Sequence, residues 1–184
     1  MALKKRYLFF LAVLAGIGMT LGPIAYDRLW KGRPPKTTKL SRDVAVTTQL
    51  EQAQMQAVRR AGYKTIVDFR PDSEVDQKSS STAMKEAAES LGLNFAYIPV
   101  PHGDKVPEAS VEKLLGVLGS SHVPFLLYCR SGRRATRTWS LAEASRKGGV
   151  SAAEIYQAAK KSGISIDDLK ASITERIAKR SDRK

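Results

Sequence analysis

A chain of 184 residues with one cysteine and two histidines is long enough for one domain with a substantial core, cannot close an internal disulfide, and offers no Cys/His cluster at metal-ligand spacing. Its formal charge of +13 at pH 7 is unevenly spread: nine of the 31 Lys and Arg precede residue 44, opposed there only by Asp27 and Asp43. The remainder carries no phosphate-cradling G-x-x-x-x-G-K-[ST] loop and no basic-aromatic module, so neither a metal, nor a cofactor, nor a nucleic-acid partner is expected.

In chain order, the first feature is YLFFLAVLAGIGMTLGPIAY, residues 7–26, uncharged and preceded by Lys4, Lys5 and Arg6. About 20 apolar residues cross a bilayer core, and the best cleavage candidate, Thr20-Leu-Gly22, is followed by Pro23, so residues 1–30 read as an uncleaved single-pass anchor in preference to a removed signal sequence. Counting Lys and Arg on either side would keep the following domain in the cytoplasm, whereas a short basic tail before the span resembles a signal anchor that leaves it outside. The second orientation is preferred slightly and the side stays open. Residues 31–43, with Pro34 and Pro35 among basic residues, read as a linker, residues 44–175 as the folded domain, and the basic stretch 176–184 as a frayed tail.

Within the domain, helix-like and strand-like segments alternate. Thr48 to Ala61 reads as helix closed by Gly62, Lys64 to Phe69 as a strand stopped by Arg70-Pro71-Asp72, and Thr82 to Leu91 as helix. Asn94 to Ile98 reads as a second strand, Ser110 to Leu118 as helix, and Pro124 to Tyr128 as a third strand that delivers the chain to Cys129. Three helical patterns follow, near Arg134 to Ser145, Ser151 to Ser162 and Ser165 to Lys179, with Ser151 and Glu154 at capping-box spacing. Strands alternating with helices predict parallel strands joined by crossovers: a three-layer α/β domain with a mainly parallel central sheet flanked by helices.

The stretch LYCRSGRRATRTW, residues 127–139, holds the lone thiol. A cysteine leaving the C-terminal end of a buried strand, followed by a glycine and a helix start, stands where open α/β sheets bind ligands. Gly132 permits backbone angles that let successive N–H groups converge, and a helix N-terminus beyond them favours an anion. That field also favours thiolate over thiol, and a guanidinium at the end of the loop can grip two oxygens of an oxyanion. Cys129 and Arg134 are therefore candidate catalytic residues, and Arg130, Ser131, Gly132 and Arg133 candidate substrate-binding residues. A buried structural cysteine beside surface arginines is the plainer alternative. Arg137 reads as part of a charged helix face, Trp139 as packing that helix onto the sheet, and Asp68 with Arg70 as fixing a strand end.

At these residues the chain resembles the bacterial protein-tyrosine-phosphatase-like family often labelled beta-lactamase-hydrolase-like, a branch of the dual-specificity cysteine phosphatases. The resemblance runs from about Gln49 to Ile173 and rests on Thr65-Ile-Val-Asp-Phe-Arg-Pro-Asp72, Gly92-Leu-Asn-Phe-Ala-Tyr-Ile-Pro-Val100, Cys129-Arg-Ser-Gly-Arg-Arg134 and Gly149-Val-Ser-Ala-Ala-Glu-Ile-Tyr-Gln-Ala-Ala159. It implies a cysteine-phosphatase-like fold, a phosphorylated protein or small phosphomonoester as substrate, and hydrolysis through a phosphocysteine on Cys129 with Arg134 holding the phosphoryl oxygens; in a bacterial protein the anchor read from residues 1–30 would sit in the cytoplasmic membrane. Asp104, just after the second strand, is the expected acid, with Asp72 the alternative and His102 able to orient it. Four residues, not the usual five, separate Cys129 from Arg134, and Ala135 stands where Ser or Thr is usual. The short loop matches that of rhodanese sulfurtransferases, which leaves sulfur transfer through a Cys129 persulfide, or a non-catalytic phosphate-binding module, as alternatives. Oligomeric state is not legible.

Overall fold

The computed structural model describes residues 34–181, which form a five-stranded sheet in the order β1-β2-β5-β3-β4. Here β1 is Thr38–Lys39, β2 Val44–Thr47, β3 Thr65–Asp68, β4 Asn94–Tyr97 and β5 Phe125–Tyr128. Only β1 runs antiparallel, paired with β2, while β2, β5, β3 and β4 are mutually parallel. The helices are α1 (Met55–Arg60), α2 (Ser81–Glu89), α3 (Glu108–Leu118), α4 (Arg133–Ser145), α5 (Ala152–Lys161) and α6 (Lys170–Ser181).

Side chains alternate across a strand, so each strand feeds two cores. Val46, Val67, Phe69, Leu127 and Cys129 pack with Val111 and Leu114 of α3, Trp139 of α4, Ile155 of α5 and Ile173 of α6. Ala45, Ile66, Leu126 and Tyr128 pack on the opposite face with Met55 and Val58 of α1 and Met84 of α2. The β5 run Phe-Leu-Leu-Tyr is apolar throughout because both its faces are covered. Burying each such side chain contributes about 1.5–3 kcal/mol. The expected three-layer α/β class, mainly parallel, is what forms.

The central helix α4 is polar by composition yet buried from Arg134 to Ala144. It tolerates this because its hydroxyls find partners within the helix: Thr138 donates to the Arg134 carbonyl at 2.8 Å and Ser140 to the Thr136 carbonyl at 2.9 Å. Trp139 packs the helix against the sheet as expected.

Three expectations change. Residues 38–39, assigned to a linker, form β1, and the Thr47 hydroxyl donates to the Lys36 carbonyl at 2.9 Å, so the domain begins before residue 44. The stretch after 175 is not frayed as far as Ser181. Arg176 pairs with Glu108 and donates to Ser145 at 2.9 Å, and Arg180 donates to the carbonyls of Glu143 and Val150. The single-pass placement in a bacterial membrane is also corrected. Residues 7–26 lie outside the described residues, and among the described residues no helix is long and apolar enough to cross a membrane. The longest described helix, α4, has 13 residues against the roughly 20 that a bilayer core demands.

Candidate active site

β5 ends at Tyr128, and Cys129, Arg130, Ser131 and Gly132 form the whole connection to α4. Gly132 has φ +84°, and a Cβ there would lie 3.5 Å from both the Thr47 carbonyl oxygen and the Val46 side chain. A left-handed backbone beside a neighbouring strand is what glycine supplies. The helix starts at once: the Gly132 carbonyl accepts from the Thr136 amide at 2.9 Å, and the Arg130 carbonyl accepts from the Gln49 amide at 3.3 Å. The first-turn amides of α4 lack intrahelical acceptors, which leaves a partly positive end at the loop. Cys129 is 1% exposed, while Arg130 and Ser131 are exposed.

The side chain brought up beside the Cys129 sulfur is Arg134, itself 6% exposed. Its Nη1 and Nη2 donate to the two carboxylate oxygens of Glu74, each at 2.7 Å, and Nη1 also donates to the Val100 carbonyl at 2.9 Å. Of five guanidinium protons, three are thereby used. The two that remain, on Nε and Nη2, share one edge of the planar group and have no oxygen acceptor among the described residues. Burial disfavours the Arg134 cation, but the Glu74 hydrogen bonds and the neighbouring Cys129 sulfur outweigh it and hold the group more firmly protonated than usual. A four-residue spacing thus still brings guanidinium and sulfur together.

Glu74 belongs to a wider network. Its hydrogen bonds from Arg134, helped by the charges of Arg134, Arg70 and His102, hold its carboxyl below the usual glutamate range against the opposing pull of burial. Arg70 donates from Nη2 to the Glu74 carbonyl at 2.5 Å and from Nη1 to Gln49 Oε1 at 2.7 Å. The Arg70 amide donates to Asp68 Oδ1 at 2.8 Å, so Asp68 and Arg70 do fix the end of β3. Burial pushes the Asp68 carboxyl up to about 6, with the Arg70 amide pulling the other way.

The remaining expected residues fall in different places. Asp104 is exposed (76%) and its Oδ1 accepts from Arg133 Nη2 at 2.5 Å, so its carboxylate is paired with Arg133 and not with Arg134. Asp72 is committed elsewhere, accepting from the Ser81 amide at 2.6 Å and the Ser81 hydroxyl at 2.7 Å at the start of α2. Arg137 is not on a solvated face. It is 1% exposed and grips both carboxylate oxygens of Asp168, at 2.7 and 2.5 Å. Glu74 and Asp168 went unseen because each lies in a polar connection with no motif around it.

The profile of the family described as "Beta-lactamase hydrolase-like protein, phosphatase-like domain" matches residues 37–146, more than half of the chain. The chain belongs to this family. Among curated relatives, the beta-lactamase hydrolase-like proteins of Xylella fastidiosa strain Temecula1 and Agrobacterium fabrum are each 27% identical, over 108 and 109 residues, 59% of this chain. The chain spans about a quarter of the length of these relatives. Among solved structures, a candidate phosphatase from Neisseria meningitidis is 26% identical with a TM-score of 0.62, covering 76% of this chain and 96% of its own. The kinase-associated phosphatase with its catalytic cysteine replaced by serine superposes at a TM-score of 0.63 and 13% identity, covering 82% and 98%. P. aeruginosa TpbA, with phosphotyrosine bound, gives 0.54 and 16% over 79% and 90%. At those identities the last two speak to the fold, which is that of cysteine phosphatases. The described residues of this family member thus form a phosphatase-like domain, with Cys129 in the connection between β5 and α4 and Arg134 in the first turn of α4.

Proposed function

We propose that the domain hydrolyses phosphomonoesters through a phosphocysteine on Cys129. The observation that carries this reading is the Arg134 guanidinium, clamped on one edge by Glu74 and left with a two-proton edge beside the Cys129 sulfur. A planar two-proton fork matches two oxygens of a phosphoryl group, and the loop amides with the α4 N-terminus supply further donors. In the first step the Cys129 thiolate attacks phosphorus, the bond to the leaving oxygen breaks, and that oxygen takes a proton from Asp104. In the second, water attacks the phosphocysteine and gives a proton to the Asp104 carboxylate, the sulfur–phosphorus bond breaks, and inorganic phosphate leaves with the thiolate and the acid both restored.

Asp104 is assigned the proton because its loop follows β4 at the same edge of the sheet and is tied by Arg133 and Arg137 to the helix that Cys129 leads into. The substrate assigned is a phosphorylated protein or a small phosphomonoester of phosphotyrosine type; phosphotyrosine is the ligand of P. aeruginosa TpbA. The family match to a phosphatase-like domain favours phosphoryl over sulfur transfer.

The test is Cys129→Ser assayed against an aryl phosphate. Turnover is expected to vanish while inorganic phosphate still binds. Unchanged hydrolysis would reject the cysteine mechanism, and binding without wild-type turnover would favour a phosphate-capturing module. Release of thiocyanate from thiosulfate and cyanide would favour the sulfurtransferase alternative.

A further inference from the structure

The loop between β4 and α3 has little of its own to hold it. It reads Pro-Val-Pro-His-Gly-Asp-Lys-Val-Pro from 99 to 107, and among the described residues no backbone-to-backbone hydrogen bond joins residues 101–106 to anything. Apart from the Val100 amide, which donates to the Phe69 carbonyl at 3.0 Å, and the Pro107 carbonyl, which accepts from the first turn of α3, its polar ties come from three arginines at the start of α4. Arg134 donates to the Val100 carbonyl at 2.9 Å, Arg133 to the Asp104 carboxylate at 2.5 Å, and Arg137 to the Asp104 carbonyl at 2.6 Å. Arg133 and Arg137 lie one helical turn apart, so they face the loop from the same side of α4.

Arg133 and Arg137 differ in how freely they can move. Arg133 is 41% exposed, whereas Arg137 is buried and held from behind by Asp168, which precedes α6 in the connection from α5, with the Ser165 carbonyl at 3.5 Å. A buried guanidinium needs a compensating charge, and a bidentate carboxylate also fixes its plane. With Nη1 and Nη2 both spent on Asp168, the outer Nη2 proton points at the Asp104 carbonyl. The hydrogen bonds that Arg137 donates to Asp168 lead, against burial, in keeping Arg137 more firmly protonated than usual, and the same bonds pull the Asp168 carboxyl below the usual aspartate range.

We infer that Asp168, acting through Arg137, is a positioning residue that sets where the Asp104 loop sits against the cysteine loop, so that the α5–α6 connection governs proton delivery to the leaving group. This rests on the reading of the domain as a cysteine phosphatase with Asp104 as its acid. Neither residue touches substrate. Their effect is on the pose of the loop, and it is felt where the leaving oxygen needs a proton most.

The experiment uses Asp168→Asn in the full chain, with Asp167→Asn as control because Asp167 pairs with Lys170 and not with Arg137. Two aryl phosphates are compared, 4-nitrophenyl phosphate with a good leaving group and phenyl phosphate with a poor one. General acid catalysis contributes about 100-fold or more where protonation is needed, so a displaced loop should lower kcat for phenyl phosphate by about 10-fold, while 4-nitrophenyl phosphate changes by less than about 3-fold. Backbone 15N order parameters at residues 102–106 should fall in Asp168→Asn, stay at the wild-type values in Asp167→Asn, and be restored in Asp168→Glu. An equal loss on both substrates, or unchanged order parameters in Asp168→Asn, overturns the inference. If the wild-type chain hydrolyses neither ester, the phosphatase reading falls, and proton delivery with it. The relaxation measurement then still decides whether Asp168 positions the loop.

Discussion

Glu74→Gln is the substitution that most sharply tests how the cysteine loop is built. Glutamine keeps the shape and one acceptor oxygen but gives up the charge that meets Arg134 through two 2.7 Å hydrogen bonds. Removing one partner of a buried pair costs about 3–5 kcal/mol, and a hydrogen bond to a charged group contributes about 1.5–3 kcal/mol. Arg134 is nearly inaccessible, but the Glu74 side chain is 26% exposed, so solvent and the retained oxygen move the cost down to about 2 kcal/mol. For a domain of this size that corresponds to a Tm lower by about 4–8 °C. The pH dependence has a definite sign. The Glu74 carboxyl titrates below its ordinary range when folded, so its contribution is complete above the unfolded value of about 4.3 and fades as pH falls toward the depressed folded value. Thermal unfolding of both proteins across the pH range, with inorganic phosphate binding at neutral pH, measures all of this. The gap in Tm should close in acid, and phosphate should bind more weakly to the variant. An unchanged Tm at neutral pH, or a gap that persists undiminished below the glutamate range, would refute the clamp.

Other consequences can be checked in the same way. Asp68 is buried and its carboxyl is pushed up to about 6, so its ionisation opposes folding: the cost is absent below the unfolded value of about 3.9 and grows as pH rises through 6. Asp68→Asn keeps an acceptor for the Arg70 amide and should be more stable than wild type at pH 8, by up to about 2 kcal/mol, with no advantage near pH 4; denaturant titrations at the two pH values report it. Gly132→Ala forces a side chain onto φ +84° and should cost about 1–2 kcal/mol in denaturant unfolding while weakening phosphate binding. Gly149→Ala would place a Cβ 2.3 Å from the Glu143 carbonyl oxygen and 2.5 Å from Arg180 Nη1. It should lower stability by more than about 2 kcal/mol and release the last turn of α6 to fast amide exchange.

The sequence carried the parts of this fold whose signals are local. The run from Phe125 to Tyr128 is apolar at every position, and Gly132 stands between it and a helical pattern, so the strand, the loop and the thiol between them could be read together. The pair Val44–Thr47 and Thr38–Lys39 could not. Each is short: Thr38–Lys39 fell in the basic, proline-containing stretch read as a linker and Val44–Thr47 carried no strand reading, and pairing of β2 with β5 and of β1 with β2 gave them a place. Thr48 to Ala61 read as one helix, but only Met55–Arg60 is α-helical, preceded by a 3-10 turn at Gln52–Gln54. Arg137 shows why a charged position on a helix is ambiguous. Periodicity registers the charge, whereas the partner that lets it be buried, Asp168, stands 31 residues away. Glu74 is 60 residues from Arg134, and nothing around it marks it as the group that orients the Arg134 guanidinium. Asp104 was legible as a carboxylate in the loop after the second strand, and its pairing with Arg133 was not.

The central claim is that Cys129, with Arg134 beside it, takes the phosphoryl group from an ester. Acid quenching during turnover of an aryl phosphate, followed by intact mass and peptide mapping, reads that event on the atom itself. The account predicts a single added phosphoryl group on the peptide containing Cys129, absent in Cys129→Ser. Steady hydrolysis with no phosphoryl group on that peptide at any quench time, or with the group on another residue, would contradict it.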